Sequence, residues 1–152
     1  FPDVTFSQRQ GIDLVDLDSL LAQSDYISLH VPLNEMNRGL INKQSISKMK
    51  RGSFLINTAR GGLVVEEDLV EALQNGHLAG AGLDVFVQEP IDPQHPLIQL
   101  DNVLATDHTA GVDVRSVEDM AIESAQNIID LHNGNWPASS VVNRKLKSTW
   151  KW

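Results

Sequence analysis

The sequence predicts an α/β fold, a doubly wound parallel sheet followed by a long C-terminal helix. Short blocks rich in β-branched and apolar residues recur along the chain, and stretches with helical spacing of apolar residues separate them. Size and composition agree: 152 residues, 41% of them hydrophobic and 21% charged, suit one ordinary domain with one main core.

The first helix is expected at residues 18–24, which place Leu20 and Leu21 on one face. Residues 26–31 then have the length and composition of a buried parallel strand, and so do residues 53–57, 81–86 and 102–106. A helix over 43–49 carries Ile46 and Met49, and one over 66–74 carries Leu69, Val70 and Leu73 at helical spacing. Glu66, Glu67 and Asp68 load the first turn of the latter with negative charge, which suits the positive end of a helix dipole. Gly76 stands where a C-terminal cap is wanted. The long helix is expected at residues 113–132, with Val114, Val117, Ala121, Ala125, Ile128 and Ile129 as its apolar stripe, ended by Gly134 and Pro137. The closing residues 141–152 are basic, and Trp150 and Trp152 are expected to pack against another surface.

A net charge of -8 repels nucleic acid and anionic lipid, so neither is expected as a partner. With no cysteine there is no disulfide framework, thiolate metal site or cysteine nucleophile. No metal site of another kind is expected. Apolar runs fall far short of membrane-spanning length and no signal segment opens the chain, so a cytoplasmic location is expected.

In a doubly wound sheet, ligands bind beyond the carboxyl ends of the strands. The residues to inspect are therefore His30-Val31-Pro32, the run from Asn57 to Gly62, the run from Asp84 to Pro90, and the run from Thr106 to Gly111. Taken singly, Arg60 reads as a solvated surface charge, Glu89 as a turn residue before Pro90, and His108 as a satisfied loop histidine. Jointly they place a guanidinium, a carboxylate and an imidazole at the ends of three parallel strands. Reducing a 2-oxo acid needs a hydride donor, a proton donor for the oxygen, and a cation for the substrate carboxylate. An imidazole gains and loses a proton near neutral pH, a carboxylate on its other nitrogen orients it, and a guanidinium grips a carboxylate with two parallel hydrogen bonds.

Three stretches, residues 24–33, 50–64 and 80–86, resemble the D-isomer-specific 2-hydroxyacid dehydrogenases, a family that includes phosphoglycerate dehydrogenase and the glyoxylate and hydroxypyruvate reductases. The likeness runs from about Gly11 to Asn143, with the signatures in the family's order. It implies a Rossmann-like fold and hydride transfer between NAD or NADP and a small 2-hydroxy or 2-oxo acid. It also implies that Arg60 is the substrate-carboxylate arginine, Glu89 the partner carboxylate and His108 the acid/base. Cofactor contacts are implied for His30, Val31 and Pro32, for Thr58 and Ala59 beside the nicotinamide, for Asp84 at its carboxamide, and for the Gly111 backbone. A homodimer is implied by resemblance alone.

The family's Gly-x-Gly-x-x-Gly phosphate turn has no match in the chain, so the sheet is expected to be incomplete at its N-terminal side. The chain also opens on Phe1 rather than methionine, and together these lead to the expectation of a downstream fragment, inactive by itself. Residues 1–132 are then part of the cofactor-binding domain, and 133–152 a tail returning to an absent substrate domain. Asp107, where the family usually has proline, is read as solvent-facing, and Val65 replaces an acidic residue common at that helix start. Two other readings stand beside the enzyme: a cofactor-sensing corepressor built on the same fold, and an inert remnant.

Overall fold

The computed structural model describes residues 3–151. The chain divides into two compact units, Phe1–Ala110 and Gly111–Trp152. The first contains α1 (Val4–Arg9), α2 (Leu17–Gln23), β1 (Tyr26–Leu29), α3 (Lys43–Lys48), β2 (Ser53–Asn57), α4 (Glu66–Gln74), β3 (Leu78–Leu83) and β4 (Val103–Ala105), with 3₁₀ turns at Gly61–Leu63 and Pro96–Gln99.

The helix starts follow from local chemistry. Asp16 caps α2 by accepting the Ser19 N–H at 2.9 Å, and Asn42 and Ser45 form a reciprocal capping box on α3. The N-cap position of α4 holds Val65, which has no side-chain oxygen to offer. The other end of α4 closes as expected: Gly76 takes φ 68°, and the next N–H, that of His77, reaches back to the Ala72 carbonyl at 3.0 Å.

The strands form one parallel sheet in the order β1-β2-β3-β4. Leu29 pairs with Asn57, Asn57 with Leu83, and Leu83 with Ala105, so all four strands end in one row. On one face, Ile27, Leu29, Leu55, Ala81 and Leu83 join Leu21, Ile41, Ile46, Leu63, Leu69 and Leu97 in a single apolar core. On the other face Tyr26 and Leu104 are exposed, and Tyr26 stacks on Phe54 with ring centroids 5.2 Å apart. The blocks read as buried strands are thus buried on one side only.

Three elements differ most from expectation. β3 starts at Leu78 and ends at Leu83, three residues earlier than read, because pairing resumes directly after the Gly76 turn and stops at the common last row. Gly80, a poor strand former, obscured that start; its flank lies against the Asn102 carbonyl and the Phe54 ring, leaving no room for a side chain. β1 stops at Leu29 rather than continuing to Val31, since its partner strand ends opposite it. The six-residue α1, capped by Asp3, carried no readable helical period.

In the second unit, Asp113 caps α5 (Val114–His132) by accepting the N–H groups of Arg115 and Ser116. Gly134, at φ 78°, lets the Asn135 N–H reach the Asp130 carbonyl at 2.7 Å. No α5 residue is buried; Val114, Ile122, Ile128 and Ile129 are all exposed. Trp150 meets Trp136 edge-on, with ring centroids 6.0 Å apart, while Trp152 lies outside the described residues. Among the described residues no helix is long and apolar enough to cross a membrane.

Candidate active site

Because the strands are parallel and end in one row, the next residues His30, Thr58, Asp84 and Thr106 open four loops on the same edge of the sheet. Each loop is then shaped by side chains that satisfy its backbone.

At the end of β2, Asn57 is 1% exposed and its amide folds the following turn. Its Oδ1 accepts the Ala59 N–H at 3.1 Å and its Nδ2 donates to the Arg60 carbonyl at 3.0 Å. Arg60 extends from this turn, and its Nη1 donates to the Ala59 carbonyl at 2.6 Å. Gly61 follows with no room for a side chain: a Cβ there would lie 2.0 Å from the Phe86 carbonyl carbon and 2.4 Å from the Val87 nitrogen. The turn bearing Arg60 and the loop after β3 therefore touch backbone to backbone.

Within that loop the Phe86 N–H donates to Glu89 Oε1 at 2.9 Å, and His108 Nδ1 lies 2.8 Å from Glu89 Oε2. Since an ionised carboxylate only accepts, the hydrogen in this bond sits on Nδ1 and leaves Nε2 free for other chemistry. The Phe86 N–H and then the His108 ring hold the Glu89 carboxyl below the ordinary carboxylate range against the opposing effect of burial, helped by the His108 and Arg60 charges.

His108 adopts φ 62°, a left-handed conformation that non-glycine residues rarely take. Asp84 holds it there. Its carboxylate is 4% exposed and accepts from the Thr106 hydroxyl, from the Thr109 N–H at 2.8 Å and from the Ala110 N–H at 3.0 Å, on both sides of the histidine. Burial pushes the Asp84 carboxyl up, but these three hydrogen bonds and the His108 charge outweigh it and hold the group low.

Arg60, Glu89 and His108 line one cavity of about 280 Å³, together with Leu33, Arg38, Gly61, Gly62, Phe86 and Val87. A second concavity, sharing Arg60, is lined by His30, Val31, Pro32, Thr58 and Ala59. A third, of about 800 Å³, shares Phe86, Glu89 and His108 with the first and has Asp84, Ile91, Thr106 and Asp107 in its wall. Asp107 is exposed and accepts the Thr109 hydroxyl at 3.1 Å. Among the described residues no group of three or more His, Asp or Glu could hold a metal ion.

Residues 2–110 match the family described as D-isomer specific 2-hydroxyacid dehydrogenase, NAD binding domain. The chain belongs to this family. It is 45% identical over 137 residues to a glyoxylate reductase of Thermofilum pendens, covering 90% of the chain and 40% of that relative. It is 46% identical over 119 residues to a hydroxypyruvate reductase of Thermotoga maritima, covering 77% of the chain and 39% of the relative. Among solved structures, the NAD-complexed D-isomer specific 2-hydroxyacid dehydrogenase of Lactobacillus delbrueckii ssp. bulgaricus superposes with a TM-score of 0.84 at 29% identity, covering 93% of this chain and 46% of that one. The chain thus spans about two fifths of the length of these two curated relatives.

Of the residues read from the sequence, the first unit brings Arg60, Glu89 and His108 together, and separately groups His30, Val31, Pro32, Thr58 and Ala59. Gly111 opens the second unit. Sequence reasoning missed Asn57 as the side chain that folds the Arg60 turn. A polar residue closing an otherwise apolar strand was the available signal. It also missed Glu66, whose carboxylate accepts the Val87 N–H at 2.8 Å.

Proposed function

We propose that this chain is the nicotinamide-facing part of an oxidoreductase that transfers a hydride between NAD or NADP and a small 2-hydroxy or 2-oxo acid, acting within a longer polypeptide. The observation that carries it is the 2.8 Å Glu89–His108 pair sharing one cavity with Arg60 at the carboxyl edge of a parallel sheet. In this reading the Arg60 guanidinium grips the substrate carboxylate and polarises the neighbouring carbonyl. Glu89 orients the imidazole. His108, through Nε2, gives a proton to the carbonyl oxygen in reduction and takes it back in oxidation.

The residues present fit the nicotinamide end of the cofactor. Val31, Pro32 and Ala59 offer an apolar wall to a flat ring, with His30 and the Thr58 hydroxyl beside it. Asp84 has three of a carboxylate's roughly four acceptor sites filled by protein donors, which leaves one for a carboxamide N–H. When bound, a reduced nicotinamide supplies the hydride. The cofactor phosphates need a glycine-rich turn at a helix N-terminus, which this chain does not contain.

The same reading takes residues 1–132 as part of the cofactor-binding domain, 133–152 as a tail to a substrate domain, and the assembly as a homodimer. A cytoplasmic setting is supported by the absence of cysteine, and the net charge of -8 argues against nucleic-acid or membrane partners. No observation favours a corepressor; the relatives named above are enzymes. The test is turnover of the full-length protein with glyoxylate or hydroxypyruvate and either reduced cofactor. Loss of that turnover in Arg60→Ala supports the reading, and turnover unaffected by the substitution contradicts it.

A further inference from the structure

Two successive amides of the loop after β3 are each held by a carboxylate. Phe86 donates to Glu89, the partner of His108, at 2.9 Å, and Val87 donates to Glu66 Oε1 at 2.8 Å. Glu66 is the first residue of α4, on a different element from the rest of the site. Its other oxygen lies 3.4 Å from His95 Nε2, and the two side chains are only 16% and 26% exposed. His95 Nδ1 accepts the Leu97 N–H at 3.3 Å, so its ring hydrogen sits on Nε2, the nitrogen nearer Glu66.

Glu67 and Asp68 also place negative charge in the first turn of α4, so the helix dipole alone does not account for a third, mostly buried carboxylate. What distinguishes Glu66 is where its oxygens go: one to the loop that carries Glu89, the other to the turn that begins Pro96–Gln99. Gly61 lies against the same peptide, with the Phe86–Val87 backbone pressed on it. The loop is therefore held by a hydrogen bond and by backbone contact immediately ahead of Glu89.

We propose that Glu66 is a positioning residue for the reaction, which holds the Phe86–Glu89 loop so that Glu89 meets His108, and that His95 orients Glu66. This rests on the roles proposed above for Glu89 and His108. Freeing the Val87 N–H loosens the loop, lengthens the Phe86-to-Glu89 hydrogen bond and misplaces the imidazole. A displacement of about 1 Å in a catalytic group costs on the order of a hundredfold in rate. Glu89 also loses the donor that contributes most to holding its carboxyl low, leaving the His108 ring and the Arg60 charge as the groups facing it.

The experiment compares Glu66→Ala, Glu66→Gln, Glu67→Ala and His108→Asn in the full-length enzyme, reading kcat, KM for both substrates, the pH profile of kcat/KM, and Tm. The proposal expects Glu66→Ala to lower kcat tenfold to a hundredfold with little change in cofactor KM, and to move the acidic limb of the profile to higher pH. Glu66→Gln keeps an acceptor for Val87 and restores most of kcat. Glu67→Ala leaves kcat and the profile unchanged. A Glu66→Ala enzyme that loses Tm but keeps kcat and the profile overturns the proposal, as does a loss equal to that of Glu67→Ala. If Glu66→Ala does not fold, His95→Gln carries the test: lowered kcat with a shifted acidic limb supports the proposal, and an unchanged profile overturns it. Should His108→Asn itself leave turnover intact, the reading of the site has failed. If only His108→Asn is impaired, positioning by Glu66 alone is refuted.

Discussion

Arg60 is the residue where side-chain chemistry matters most simply. A lysine keeps the charge but cannot present two parallel N–H groups to a carboxylate. We expect Arg60→Lys to lower kcat/KM of the full-length enzyme by about a hundredfold, the usual effect of losing one directed donor at a reacting oxygen. Steady-state kinetics on the 2-oxo acid checks this. Asp84 yields a pH prediction. Its folded pKa lies below the ordinary value, so the stability it contributes is complete above the unfolded pKa of about 3.9 and is lost as pH falls through the folded value. Unfolding free energy of the chain should therefore drop on acidification below about pH 4, and Asp84→Asn should flatten that dependence. At neutral pH the same variant should cost about 1–3 kcal/mol, because an amide NH₂ meets donors it cannot accept. Denaturant titrations across pH measure both. That Arg60, Glu89 and His108 meet was legible in the sequence because each follows shortly after a block with strand character. Glu66 was not, because it acts on a backbone N–H that only the folded chain brings near it; Asn57 acts within its own turn, where its polar character at the end of an apolar strand was the local signal.

At the scale of elements, α4 combines a well-charged first turn with Val65 at its N-cap, where no side chain accepts a hydrogen bond. The Val65 backbone, at φ -81° and ψ 106°, already has the extended conformation of a capping residue. Val65→Asp should stabilise the chain by about 1 kcal/mol, read as a rise in Tm, and no rise would show that packing of Val65 outweighs the missing cap. Gly61 couples two loops through their backbones. Gly61→Ala forces them apart and should destabilise by about 1–3 kcal/mol, while separating Arg60 from Glu89 and lowering turnover of the folded enzyme. The helices over 43–49, 66–74 and 113–132 were readable almost to the residue, since caps and apolar spacing are local properties. β3 was misplaced because its start is decided by pairing with Ser53 and Phe54, residues far away in sequence.

For the whole molecule, the decisive facts are a chain that spans about two fifths of the two relatives named above and a sequence without a glycine-rich phosphate turn. The proposal that this chain carries only the nicotinamide end predicts that the 152-residue chain binds NADH more than about tenfold more weakly than the full-length protein, or at least about 1.4 kcal/mol. Isothermal calorimetry on both checks it, and equal affinities would place the phosphate contacts within this chain. The central claim is that Arg60, Glu89 and His108 act together on a 2-oxo acid. The most direct measurement is oxidation of NADH and NADPH by the full-length protein with glyoxylate and hydroxypyruvate, alongside its His108→Asn variant. The account predicts substrate-dependent oxidation with at least one pair, falling on the order of 10²–10⁴-fold in the variant. No rate above background with either cofactor, or a rate that His108→Asn leaves unchanged, would contradict it.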